Sequence, residues 1–497
     1  MSNVQTVMAL GIIALFMLIP LVMGFIAGKQ SVPTTEDYFV QGRGMGSVAV
    51  FFTVSATWWS AFAFMGSNSY FFLNGPLYWT ALAWNILFGI LYYVIGKKVW
   101  YFGKRNNFIT PKDFFMFHYD SETLGNIVAV IMLIFTLPYL QVQLTGGAYL
   151  IQTASNNVIP YWAAALLFYV VIIIYVWSGG LRAVAWTDIF YGVLLFFGMI
   201  FAGFYIVSLP QVGGVTAMFD YIESTTPEKL IVGDNWMLYL SMFIVTPVGS
   251  FMGPQLWTRM YATKSHKLFN KMPFLLGLAA IAYIGSMLVG NAANILCPDI
   301  TETDKILPTV LYQYAPFILA SFIIACGAAA AMSTANSQVH AMSAIWTVDF
   351  HEKYINKNLS EKQLVWVGRW TILIFSAIAY VMTLTVPGML VTVGLVAQAG
   401  TAQVMVPLVG ALYWKRSTKE GAIAGLLVGT ISLCLFTFGI ISAPGVFSMS
   451  GGGNLFSLIL NIIVFVVVSL CTKPRSDELM EKVQAQFDDF YNEVDFE

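Results

Sequence analysis

Ser333, Thr334, Asn336 and Ser337 end a run of small residues, IIACGAAAAMSTANSQVH, and Ala330, Ser333, Thr334 and Ser337 fall at i, i+3, i+4 and i+7. On a helix that spacing lines them up on one stripe. Two adjacent hydroxyls can offer oxygens to a hard cation, but such an ion takes about six oxygens or more, so this helix alone is insufficient. The same small residues would also serve as a close-packing seam. Two other segments can supply further oxygens. One reads ATWWSAFAFMGSNSYFFLNG from Ala56, and the other TPVGSFMGPQLWTR from Thr246. Proline and clustered glycine interrupt a helix's hydrogen-bond ladder, and in hydrocarbon such breaks survive where they line a cavity or a ligand. Freed carbonyls suit a small cation, and the amide end of a half-helix suits an anion. The breaks nominate Trp58, Ser60, Ala63, Thr246, Ser250 and Gly253 as lining for a small solute. Trp58 and Trp59 could equally face lipid.

Asp188, in GGLRAVAWTDIFYG, is the one carboxylate that falls inside an apolar segment. An ionisable group there is costly and a functional candidate by default; the alternative is an interfacial carboxylate paired with Arg182. His340 reads as a hydrogen-bonded packing residue. The histidines are scattered and no Gly-rich nucleotide loop appears, so nothing points to an enzyme. A channel would want a continuous polar pore or filter loops, and neither is present.

The elements that must hold these residues are membrane helices. The chain has 497 residues, 58% hydrophobic and 10% charged, with mean hydropathy +0.75, against about 25% charged in soluble domains. That composition excludes a soluble enzyme or a nucleic-acid binder, and a net charge of −1 names no electrostatic partner. Apolar stretches long enough to span a bilayer fall at 7–27, 46–74, 76–96, 124–150, 158–177, 184–208, 236–257, 272–296, 314–346, 364–386, 388–414, 421–442 and 453–471. These thirteen expected spans are numbered 0 to 12, the first an uncleaved helix. With the N-terminus outside, 22 of the 24 Lys and Arg residues face inward and only Lys229 and Lys305 remain outside, as the positive-inside rule requires. The C-terminus is then cytoplasmic and the protein a multi-pass plasma-membrane protein. Four scattered cysteines imply no disulfide framework.

Only spans 1 and 6 read as broken. They lie five helices apart, which fits two five-helix halves of inverted topology whose broken helices meet near the midplane. The expected divisions are 1–45 (an extra helix and loop), 46–208 and 236–414 (the halves), 415–472 (two extra helices) and 473–497. That last stretch is an acidic tail, amphipathic or disordered, ending in Asp495, Phe496 and Glu497.

In four segments the chain resembles the sodium:solute symporter family, which has the LeuT-type five-plus-five inverted-repeat fold. These are GGLRAVAWTD (179–188), PQLWTRMYATKS (254–265), AAAMSTANSQ (329–338) and GALYWKRSTKEGAIAG (410–425). The resemblance implies an all-α fold with one helix ahead of the core, matching span 0. It also implies Na⁺-coupled import of a small organic solute by alternating access. Matching Ser60, Ala61, Phe64 and Gly66 to the family pattern implies sodium ligands at the Ala56 and Trp59 carbonyls. The Ser-Thr pair implies the Ala330 carbonyl and the Ser333 and Thr334 hydroxyls. Asp188 would lie near the ion's cytosolic exit. A second sodium, bound in some members, would fall on Asp188, Ser333, Asn336 and Ser337, although many relatives carry Asp in place of Asn336.

The family moves sugars, proline, sialic acid, pantothenate, monocarboxylates and iodide. The breaks here lack the polar cluster that a sugar's hydroxyls require, which favours a carboxylate-bearing solute such as a monocarboxylate or proline. Proton coupling through Asp188, and sodium-coupled uptake of a sugar or pantothenate, remain the alternatives. The partners are thus a small solute, sodium and the lipid bilayer; nothing in the sequence sets an oligomeric state.

Overall fold

The computed structural model describes residues 2–386 and 388–494, and the last residues of the acidic tail lie outside them. Among the described residues, eleven helical stretches are long and apolar enough to cross a membrane, and two shorter apolar helices, Ser47–Trp58 and Tyr161–Ile174, bring the set to the thirteen expected. After α1 (Asn3–Lys29) the chain runs through α2 (Ser47–Trp58), a π-helical turn at Phe62–Gly66 and α3 (Ser67–Asn74), then α4 (Thr80–Leu91). Ring pairs Trp58–Phe88 at 4.5 Å, Phe62–Trp84 at 6.3 Å and Phe71–Tyr78 at 5.1 Å run in antiparallel order. Spans 1 and 2 are therefore two crossings joined by a reversal at Gly75. That residue has φ +48°, and a Cβ there would meet the Lys229 carbonyl at 1.8 Å, so only glycine fits.

Two short helices, α5 (Lys97–Arg105) and α6 (Pro111–Tyr119), lie on the face rich in Lys and Arg, followed by α7 (Glu122–Ala154) and α8 (Tyr161–Val207). Gly180, at φ +54°, bends α8 into spans 4 and 5. The second half of the chain comprises α9 (Trp236–Phe251), α10 (Pro254–Ala262), α11 (Met272–Ala279), α12 (Ala282–Leu296), α13 (Phe317–Ala344), α14 (Glu361–Thr385), α15 (Leu390–Ala402) and α16 (Met405–Tyr413). It ends in α17 (Lys419–Thr437), α18 (Gly452–Cys471) and α19 (Asp477–Glu493). From Ile323 to Ile345 every residue of α13 and its continuation is buried. Its alanines and serines let neighbours approach from all sides, so the packing seam and the hydroxyl stripe are realised on one helix.

The expectation of only two broken spans needs correction. Span 10 is interrupted at Gln403–Val404, between α15 and α16. Pro407 has no amide to offer the Gln403 carbonyl, and Asn461 of α18 donates to it instead at 2.9 Å. Span 7 is likewise divided between α11 and α12. The acidic tail is not a free solvated segment. Helix α19 docks Phe487 on Phe102 at 4.9 Å and Phe490 on Tyr101 at 5.4 Å, with Arg105 paired to Asp489 at 2.6 Å.

Candidate ion and solute site

Helix α2 ends because Trp59 leaves the helical region (φ −81°, ψ +72°). In a continuing helix the amides of Ser60, Ala61 and Ala63 would take the carbonyls of Ala56, Thr57 and Trp59. They turn elsewhere: Ser60 to the Trp58 carbonyl and Ala63 to the Ser60 carbonyl, both at 3.0 Å, and Ala61 to Gln143 Oε1 of α7, also at 3.0 Å. Carbonyls freed in this way need partners. Thr334 of α13 provides one, donating to the carbonyls of Ala56 at 3.3 Å and Thr57 at 3.1 Å. Ala56, Trp59, Ala330, Ser333 and Thr334 are all buried, on the α2 break and the α13 stripe that Thr334 joins. Thr57 was missed by the sequence reading although the signal existed: Thr53, Ala56, Thr57 and Ser60 repeat the i, i+3, i+4, i+7 spacing of the α13 stripe.

Asp188 is fully buried, and its proposed partner Arg182 pairs instead with Asp37 at 2.7 Å. The cation at Asp188 is Arg259 of α10, itself fully buried, with Nη2 3.4 Å from Oδ2. Ser333 donates to Oδ1 at 2.5 Å, and the Thr53 hydroxyl donates to Oδ2. Arg259 also donates to Thr53 at 3.1 Å, to the Gln255 carbonyl at 2.8 Å and to the Ser337 hydroxyl. A buried pair repays its desolvation only when such additional hydrogen bonds complete it. The network joins α2, α8, α10 and α13. Asn336 lies beside it on the same helix, buried, with neither side-chain atom partnered. His340 Nε2 donates to the Tyr38 carbonyl at 2.9 Å, and the ring packs on Tyr38 and Phe39, as a packing residue should.

The solute candidates are brought together only in part. Trp58 stacks on Phe88, which in turn meets Phe251 of α9 at 6.5 Å, so neither Trp58 nor the buried Trp59 faces lipid. Ser60 shares a hydrogen bond with Tyr139 of α7 at 3.4 Å. Ala63 turns toward α12, where Ser286 donates to its carbonyl at 3.3 Å. Thr246 and Ser250 sit one turn apart on α9, both buried. The side chain of Gln255 packs 2.7 Å from where a Cβ on Gly253 would stand. The indole nitrogens of Trp58 and Trp59 and the Ser250 hydroxyl are buried without hydrogen-bond partners; Trp59 packs on Phe196 of α8 at 5.6 Å.

Helix α9 reaches this centre because Gly249 touches α15. A Cβ there would stand 1.9 Å from the Gln398 carbonyl, and Thr401 of α15 donates to the Gly249 carbonyl at 2.7 Å. Gly249→Ala is expected to force the two helices apart at about 1–3 kcal/mol. Its melting temperature should fall and uptake should be lost, whereas Gly277→Ala, where the nearest atom is a side-chain carbon at 3.4 Å, should melt like the parent.

On the opposite, acidic face, buried Asp304 accepts from the Leu390 amide at the start of α15 at 3.0 Å, and neighbouring Thr303 accepts from Ser69 of α3 at 2.6 Å. Lys305 and Glu302 are the charges beside it, and Tyr149 and Tyr161 face it from α7 and α8. Burial pushes the Asp304 carboxyl up to about 6. The docked loop then binds a proton more tightly than an exposed carboxylate would. Protonation stabilises docking at low pH, and that contribution is lost as pH rises through 6. The melting temperature of Asp304→Asn relative to the parent should therefore rise between about pH 5 and about pH 8; a constant or falling difference would contradict the burial.

Residues 38–429 match the Sodium:solute symporter family. The sodium/pantothenate symporter of Haemophilus influenzae is 27% identical, covering 90% of this chain and 93% of its own. The sodium/proline symporter of Escherichia coli is 25% identical, covering 95% and 94%. Among solved structures, a Na⁺-coupled sialic acid symporter in a substrate-bound outward-open state superposes with TM-score 0.80 at 18% identity, over 94% of this chain and 98% of that one. A nucleobase-cation-symport-1 family transporter gives TM-score 0.56 at 14% identity, over 90% and 98%. These likenesses show the LeuT-like inverted-repeat fold. With four-fifths of its length matched, this chain belongs to the sodium:solute symporter family, as a multi-pass, sodium-coupled carrier of a small organic solute and not an enzyme.

Proposed function

We propose that the chain imports a small carboxylate-bearing solute, a monocarboxylate or an amino acid such as proline, with sodium held between α2 and α13. The Thr334 hydroxyl on the Ala56 and Thr57 carbonyls carries this reading. When Na⁺ arrives, Thr334 turns its proton away and presents a lone pair. Ser333 does the same, and the carbonyls of Ala56, Trp59 and Ala330 complete the cage. The ion then bridges a helix of the first half (46–208) to one of the second (236–414), flanked by 1–45, 415–472 and the tail. We read the basic face as cytosolic, with the N-terminus outside, so that Asp188 stands on the inward exit.

The unpartnered donors Trp58 Nε1 and Ser250 Oγ support a carboxylate in the centre, and proline, pantothenate and sialic acid, named for the relatives, all carry one. A membrane potential of about 100 mV supplies roughly 2.3 kcal/mol per charge, and a tenfold gradient adds about 1.4 kcal/mol. For a solute of zero net charge, such as zwitterionic proline, one sodium therefore sustains accumulation of roughly several hundredfold; with a monocarboxylate anion the pair carries no net charge and the gradient alone sustains about tenfold. The Arg259 guanidinium already engages Asp188 and Ser337, which favours one ion; the unpartnered Asn336 amide favours a second, with Arg259 displaced. Uptake of labelled pyruvate, proline and glucose into proteoliposomes, with and without an inward sodium gradient, tests the reading. Sodium-dependent uptake of pyruvate or proline is expected; sodium-dependent uptake of glucose alone would end it.

A further inference from the structure

The basic face holds a cleft of about 290 Å³ between the end of α6, the start of α17 and the start of α19. Lys419, Lys473 and Arg475 line it, together with the carboxylates Asp120 and Glu420. Arg475 is fixed there: it donates to the carbonyls of His118 at 3.1 Å and Trp414 at 3.3 Å and lies over the Tyr119 ring at 5.5 Å. Both hydrogen-bond partners are neutral, and its Nε is buried without a partner. Thr418 and Ser476 already cap the two helix starts, accepting from Gly421 at 3.1 Å and Leu479 at 3.3 Å, so an anion would be held by side chains. Three bases against two acids leave one net positive charge, which suits a singly charged phosphodiester better than a doubly charged phosphate. A lipid-facing stripe leads to the cleft: Ile463, Val467 and Leu470 are exposed on α18 at i, i+4 and i+7, one face of the helix, three residues short of Lys473.

The geometry points to a binding site for an anionic phospholipid, its phosphodiester between Lys419, Lys473 and Arg475 and its acyl chain along α18. Basic pockets at helix ends on the cytoplasmic side recognise such head groups. A lipid seated there would pin the start of α19. The consequence reaches the transport core, because α19 packs on α5 and α6, and Phe114 of α6 meets Trp257 of α10 at 5.6 Å, two residues from Arg259.

The inference rests on the cytosolic assignment of the basic face, not on the identity of the solute. Its test uses the purified full-length protein in detergent with added phosphatidylglycerol, phosphatidylcholine or inorganic phosphate, read by melting temperature and native mass spectrometry. Phosphatidylglycerol alone should raise the melting temperature and remain bound. Lys419→Gln with Lys473→Gln, both exposed, should melt like the parent without lipid yet bind phosphatidylglycerol about 30-fold more weakly. An equal gain from phosphatidylcholine, a gain reproduced by phosphate, or an undiminished gain in the double variant would overturn the site.

Discussion

Alanine at both Ser333 and Thr334 is expected to remove sodium stimulation of uptake while the protein still folds. The two hydroxyls are the only side-chain ligands in the proposed cage; the rest are backbone carbonyls that no substitution deletes. Hydrogen bonds and ligand contacts to a charged group are worth about 1.5 kcal/mol or more each, so losing two weakens sodium binding about 100-fold. In the sodium-free state the same change leaves the Ala56 and Thr57 carbonyls without their Thr334 donor and Asp188 without Ser333, so a modest drop in melting temperature accompanies it. Apparent sodium affinity in proteoliposome uptake, set beside melting in choline, separates the two effects. Unchanged sodium dependence in the double variant would refute the assignment.

The second large effect concerns Arg259. Both it and Asp188 are fully buried, and removing one partner of a buried pair strands the other at about 3–5 kcal/mol. Arg259→Met should therefore depress the melting temperature strongly. Adding Asp188→Asn to it should recover much of the loss, because no charge is then left unpaired, even though transport stays impaired. Arg259→Lys should not substitute, since a single ammonium cannot reproduce the guanidinium's bonds to Thr53, Gln255, Ser337 and Asp188 at once. A double-mutant cycle on melting measures the coupling. Additive single effects would show that the two charges do not sense each other in the folded protein.

What could be read from residues alone follows the range over which each signal acts. The break at Trp59 and the one before Pro254 are local events, written in neighbouring Gly, Ser and Pro, and both were legible. The α13 stripe was legible because helical spacing is itself local. Arg259 was visible only as one of many basic residues near a span end. Its partner lies 71 positions away, and nothing short-range distinguishes a buried guanidinium from a solvated one. The break at Gln403 was obscured because a lone Pro407 is common in membrane helices, and the Asn461 side chain that makes it tolerable sits 58 residues downstream. Asp188 shows the same limit from the other side. Arg182 was its nearest cation in sequence, but both lie on the helical segment that follows the Gly180 bend, where a spacing of six residues turns the two side chains to different faces, and Arg182 turns to Asp37.

The most direct test is a high-resolution map of the protein in sodium chloride, compared with one in potassium chloride. The account predicts a compact sodium-dependent density enclosed by the carbonyl oxygens of Ala56, Trp59 and Ala330 and the hydroxyls of Ser333 and Thr334, with Thr334 rotated off the Ala56 carbonyl. A helix that winds unbroken past Trp59, or a sodium-dependent density confined to the Asp188–Asn336 neighbourhood, would contradict it.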